Sequence, residues 1–94
     1  MKEYNVAVVG ATGMVGEEMA LILEERNFPI KKINFLASEK SVGKTIHFKG
    51  KGVPVNVLDK NSFRGIDVAL FSAGGKVSKE YAPIAVKSGA VVID

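Results

Sequence analysis

The chain contains no cysteine, no tryptophan and a single histidine, His47, among its 94 residues. Each absence closes off a kind of chemistry. Without cysteine these residues hold no disulfide, no thiolate metal site and no thiol nucleophile, so no catalytic residue is expected among them. One histidine with no acid or second histidine at useful spacing predicts no metal centre, and His47 reads as the solvent side of a hairpin. No apolar stretch approaches the roughly 20 residues that span a bilayer, so no membrane partner is expected. The opening Met1-Lys2-Glu3-Tyr4 leads straight into a strand pattern with no leader-like segment, from which a cytoplasmic location is expected. Neither sign of charge dominates: 13 basic residues against 10 acidic give +3, too little to demand nucleic acid, and no aromatic platform is interleaved with the basic residues. Lys40, Lys44, Lys49 and Lys51 do cluster. They read equally as guards of an exposed strand edge and as a local anion site.

What is present is a glycine triplet in a telling context. The β-branched run Val6 to Val9 ends at Gly10, and Gly13 and Gly16 follow at three-residue steps as an apolar helical pattern begins. The three glycines answer different demands: Gly10 a sharp turn out of the strand, Gly13 backbone approach to a phosphate, Gly16 close packing of helix on strand. The spacing is GxxGxxG. A strand, a tight turn and a helix start together make an anion site, because the first helical N–H groups are unpaired and carry the positive end of the dipole.

Onward from Gly13, apolar Val15, Met19, Ile22 and Leu23, with Met14 beside them, recur at helical spacing until Asn27 and Pro29 stop the helix near Arg26 or Asn27. Lys32 to Ala37 reads as the second strand of a βαβ unit. Thr45 to Phe48 and Val53 to Val57 form a hairpin around Gly50-Lys51-Gly52, an insertion ahead of the next core strand, with Pro54 indicating an edge. Asp59 to Phe63 fits one helical turn closed by Gly65. Asp67 to Ser72 is a nearly continuous apolar strand, which predicts burial on both faces. Ser78 is placed as the N-cap of a helix reaching Ser88 that starts late or bends at Pro83, and Ala90 to Ile93 reads as another buried strand. The fold class is therefore α/β: a Rossmann-like, doubly wound, mainly parallel sheet with an inserted β-hairpin. A last strand ending at Asp94 suggests a unit cut short before a catalytic domain.

Two further loops join the glycine turn at the strand ends. Ser38-Glu39-Lys40-Ser41 follows the second strand, where dinucleotide folds place the adenosine ribose. Two hydroxyls and a lysine there suit a 2′-phosphate and favour NADP; Glu39 turned toward the ribose would reverse that preference. Ser72-Ala73-Gly74-Gly75 is small enough for backbone to touch a ligand.

The blocks Val8 to Glu18, Glu24 to Ile30, Leu36 to Lys44 and Ala69 to Gly75 together closely resemble the start of bacterial aspartate-semialdehyde dehydrogenases. That resemblance implies that residues 1–94 are the N-terminal, incomplete NADP-binding domain of an enzyme that reduces β-aspartyl phosphate to aspartate semialdehyde, on the route to lysine, threonine and methionine. It places Thr12, Gly13, Met14 and Val15 at the cofactor phosphates, Ser38, Lys40 and Ser41 around the 2′-phosphate, and Ser72, Ala73 and Gly74 by the nicotinamide half, with Gly10, at the turn out of the strand, also counted as cofactor-binding. Lys40 stands where family members usually carry arginine, which exchanges a two-pronged grip for a point charge. The resemblance also implies a small-molecule substrate and a homo-oligomeric parent, dimer or tetramer. N-acetyl-γ-glutamyl-phosphate reductase and a non-catalytic nucleotide- or CoA-binding sensor are the competing readings.

Overall fold

The computed structural model describes residues 2–72 and 75–93. Six strands form one sheet: β1 (Tyr4–Val9), β2 (Ile30–Ala37), β3 (Thr45–Phe48), β4 (Lys51–Val57), β5 (Val68–Phe71) and β6 (Val91–Ile93), in the order β3-β4-β2-β1-β5-β6. All neighbours are parallel except the β3–β4 hairpin. Helix α1 (Met14–Glu25) links β1 to β2, and α2 (Gly75–Lys87) links β5 to β6. No helix among the described residues is long and apolar enough to cross a membrane.

β1 lies at the centre because its side chains suit burial on both faces. Val6, Ala7, Val8 and Val9 are all fully buried, as period-two alternation requires of a strand covered on both sides. Val8 joins Phe35, Ala37, Phe48 and Val55 in the core beneath α1. Ala7 and Val9 join Leu36, Phe63, Ala69 and Phe71 in the core beneath α2. The two helices thus cover opposite faces. Strand order reverses at β1, whose neighbours are β2 and β5, and this reversal opens a crevice at the strand C-termini.

α1 ends as its sequence suggests. Asn27 takes a left-handed φ of 51°, its N–H donates to Glu24 O, and the Phe28 N–H donates to Leu23 O, the paired bonds of a Schellman cap. Its buried stripe differs from the expected one. Gly16 and Ala20 face the core with Met19 and Leu23 packed beside them, while Met14, Val15 and Ile22 are exposed. The cause is Gly16, where an added Cβ would strike Gly10 O and lie 2.7 Å from Ala11 Cα. Small residues set the helix rotation, and the larger apolar ones turn outward. The partner of Gly16 is thus the loop backbone at Gly10 and Ala11, not the strand.

The hairpin also departs from expectation. Lys49 and Gly50 both have positive φ, 52° and 78°, and Phe48 pairs with Lys51, which is a two-residue type I′ turn. β4 therefore begins at Lys51, two residues ahead of the expected start. Its far end pairs in parallel with β2 from Phe35↔Val55 onward, so the inserted hairpin also extends the main sheet. Pro54 precedes that pairing and faces only Thr45 of β3, so its missing N–H removes nothing from the β2 ladder. β3 is the true edge, and exposed Lys44, Lys49 and Lys51 flank it.

Asp59 to Gly65 forms successive turns, not a helical turn, with the Asn61 N–H on Asp59 Oδ1 at 2.7 Å. Three other expectations change. α2 begins at Gly75, so Ser78 is a buried interior residue and no N-cap, and Pro83 lies inside the helix. In β5, Ala69 and Phe71 are buried but Val68 and Leu70 only half-buried. In β6, Val91 and Ile93 are exposed, because this strand is the second edge and α1 packs over the opposite half of the sheet.

Gly16→Ala should destabilise the fold by about 3 kcal/mol or more, since the obstructing atoms are backbone and cannot rotate away. Urea unfolding followed by circular dichroism measures it.

Candidate functional site

The crevice is a cleft of ≈ 510 Å³ lined by residues from four strand ends and one helix. From β1 come Val9, Gly10, Thr12 and Gly13; from β2, Ala37, Ser38 and Ser41; Leu58 follows β4, Ser72 follows β5, and Val77 and Tyr81 stand on α2.

Gly10 makes the turn into the cleft with φ 80°, and the N–H groups of Gly10 and Ala11 both donate to Leu36 O, at 2.9 and 3.2 Å. The loop is thereby tied to β2. Gly13 is the N-cap of α1 with extended φ −79° and ψ 167°, and no side chain caps the helix. Among the described residues no backbone acceptor faces the N–H groups of Thr12, Met14 and Val15. Four unpaired donors are normal at a helix start. Here they border a cleft, which makes a seat for an anion. Gly13 has no internal reason to be glycine: its φ is ordinary, and an added Cβ would meet only Gly10 O at 3.6 Å. Gly13 itself lines the cleft.

On the β2 side, Ser38 precedes a short 3₁₀ turn over Glu39–Ser41. That turn puts Ser38 and Ser41 in the lining while Glu39 and Lys40 remain exposed outside it. Thr12 Oγ1 donates to Ser41 Oγ at 3.2 Å, which joins the two loops and leaves the Ser41 proton free for an anion. On the β5 side, Ser72 Oγ donates to Val9 O at 2.8 Å and Gly10 O at 3.1 Å, and its N–H also reaches Val9 O at 2.9 Å. The Ser72 proton is thus used to hold β5 against β1. No group of metal-ligating side chains gathers among the described residues.

Of the residues singled out in the sequence, the fold gathers Gly10, Thr12, Gly13, Ser38, Ser41 and Ser72 around the cleft. Met14 and Val15 contribute helix-start backbone, their side chains being exposed. Lys40 is next to the lining but not in it, and Ala73 and Gly74 lie outside the described residues. Sequence reasoning missed Leu58, Val77 and Tyr81. Tyr81 reads as a core residue by helical period, and no local signal marks Leu58.

Residues 5–94 match the family model described as semialdehyde dehydrogenase, NAD binding domain. The chain belongs to that family. Within the semialdehyde dehydrogenase family, the aspartate-semialdehyde dehydrogenase of Aquifex aeolicus (strain VF5) is 59% identical over 92 residues, covering 97% of this chain and 27% of that protein. The enzyme of the same name from Legionella pneumophila is 57% identical over 93 residues, covering 99% and 27%. Among solved structures, aspartate semialdehyde dehydrogenase II from Vibrio cholerae, complexed with ASA, superposes with a TM-score of 0.91 at 49% identity over 99% of this chain and 31% of that one. The chain thus spans little more than a quarter of the curated relatives it matches. The Rossmann-like fold and the dinucleotide-binding character of the domain follow from this membership.

Ser72→Ala should cost only about 1 kcal/mol. Val9 O keeps the Ser72 N–H and Gly10 O keeps the Gly13 N–H at 3.2 Å, so neither carbonyl is orphaned. Thermal unfolding checks this.

Proposed function

We propose that residues 1–94 are the N-terminal, NADP-binding part of an aspartate-semialdehyde dehydrogenase that reduces β-aspartyl phosphate to aspartate semialdehyde with NADPH. The observation that carries this reading is the uncapped start of α1 opening onto a cleft whose β2 side presents two hydroxyls and no carboxylate. When bound, the cofactor supplies the hydride. These residues bind and orient it. The N–H groups of Thr12, Met14 and Val15 hold the pyrophosphate, and Gly13, whose own N–H is taken by Gly10 O, keeps the approach clear of a side chain. Ser38 and Ser41 donate to the adenosine 2′-phosphate, and Lys40, exposed at their shoulder, swings its ammonium over it as a point charge. Glu39, which would repel that phosphate, stays out of the lining. Ser72 with Ala73 and Gly74 approaches the nicotinamide half.

In this reading the acyl substrate, the thiol nucleophile and the acid–base histidine belong to polypeptide beyond these residues, since the 94 contain no cysteine. The chain binds cofactor and does not turn over. The parent is a cytoplasmic homo-oligomer acting on a small-molecule substrate, with neither nucleic acid nor membrane as partner.

Calorimetric titration of the folded chain with NADP and with NAD tests the reading; tighter NADP binding is expected, and binding of neither would sink it. Gly13→Asp gives a sharper contrast. Aspartate is at least as good an N-cap as glycine, so stability should hold or rise by a few tenths of a kcal/mol, roughly. NADP binding should nevertheless be lost, because a carboxylate then occupies the phosphate seat. Lys40→Ala should weaken NADP by about tenfold, the loss of one charged hydrogen bond, and leave NAD unchanged. Equal losses for both would remove Lys40 from the 2′-phosphate.

A further inference from the structure

A smaller cavity lies at the other end of the sheet. It holds ≈ 200 Å³ and is lined by Asn5 of β1, Lys32 and Asn34 of β2, and Arg64, Gly65 and Ile66 from the turns ahead of β5. Asn5 and Lys32 are partners in the β1–β2 register, and Asn34 stands two residues on, so the three side chains share one face. On that same face Ala7, Val9 and Leu36 enter the core beneath α2. Lys32 is exposed and Asn34 half-buried, so polar groups take over where that core ends.

Hydrogen bonds fix the frame of this cavity. The Asp67 N–H donates to Asn5 O and the Asn5 N–H to Asp67 Oδ2, both at 2.8 Å, while Asn5 Nδ2 donates to Gly65 O at 3.0 Å. Gly65 turns the chain there with φ 73°. Asn34 Oδ1 accepts from Asn56 Nδ2 at 2.8 Å. Two acceptors at the rim, Gly65 O and Asn34 Oδ1, are thereby spent, and the Asp67 carboxylate, tied to the frame, is not in the lining. The donors are not spent. Among the described residues the Lys32 ammonium, the Arg64 guanidinium and the Asn34 amide nitrogen make no hydrogen bond.

Two cations beside neutral amides, with no carboxylate in the lining, suit a dianion. A guanidinium fork grips a tetrahedral oxyanion through two N–H groups, and an ammonium adds a point charge. The cavity is smaller than the roughly 300 Å³ at which pockets for drug-sized ligands begin, so its occupant is a single small group. We infer that Lys32, Asn34 and Arg64 form an anion site for a phosphate dianion, either free hydrogen phosphate or the phosphoryl end of a small ester. This site shares no lining residue with the cleft beyond the strand C-termini, and its occupancy is independent of the cofactor reading.

Phosphate also suits the start of α1, so the test needs a readout resolved by residue. Proton–nitrogen correlation spectra of the labelled, folded chain, recorded at low ionic strength while inorganic phosphate is added, supply it. Saturable shifts are expected at the Asn5 and Asn34 side-chain amides and at the Gly65 backbone, and they should persist in Gly13→Asp, which blocks the seat at α1. Arg64→Gln and Lys32→Gln, both at exposed positions, should each weaken phosphate here by about tenfold, the scale of a hydrogen bond to a charged group, and leave NADP affinity as in wild type. Glycerol 3-phosphate separates the two sources: tighter binding than inorganic phosphate assigns the site to an ester, weaker binding to the free ion. Chloride at matched ionic strength is the control. Shifts confined to Thr12 to Val15, equal shifts with chloride, or wild-type phosphate affinity in both glutamine variants overturn this site and leave the cofactor reading standing.

Discussion

The contact of α1 with the loop before it is the constraint from which the rest follows. Gly16 brings helix backbone against the backbone of Gly10 and Ala11, closer than any side chain permits. That approach fixes the rotation of α1 and turns Ala20 and Leu23 onto the sheet. It also aims the unpaired N–H groups of the helix start at the strand ends.

The cleft itself is assembled from ends. Four strands end at it, and short polar bonds tie the loops after β1, β2 and β5 together: Leu36 O takes the Gly10 and Ala11 N–H groups, Thr12 meets Ser41, and Ser72 clamps Val9 and Gly10. These bonds make the loops rigid and still leave donors facing the cavity. Preformed donors lower the ordering cost of holding a phosphate, which is the same economy that a Gly-rich turn offers in other dinucleotide sites.

The two faces of the sheet are unequally finished. α2 and the turns around Phe63 close one face with an aromatic stack. On the other, α1 covers β1, β2 and the hairpin, while Val91 and Ile93 stay exposed on β6. Among the described residues the face under α1 is thus the less covered of the two.

The sequence by itself determined the elements whose causes are local. The turn at Gly10, the left-handed Asn27 cap and the alternating hairpin each depend on neighbours in the chain. Tertiary structure decided what depends on neighbours in space. Whether β4 ended as a flap or joined β2 turned on a parallel pairing that no local pattern encodes. Which stripe of α1 is buried followed from a backbone contact with the loop, so size outweighed hydrophobicity at Val15 and Ile22. α2 starts ahead of Ser78, whose buried hydroxyl finds no hydrogen-bond partner among the described residues, so its capping preference did not set the helix start. Tyr81 looked like core from its period, and only the fold set its ring at the wall of the cleft.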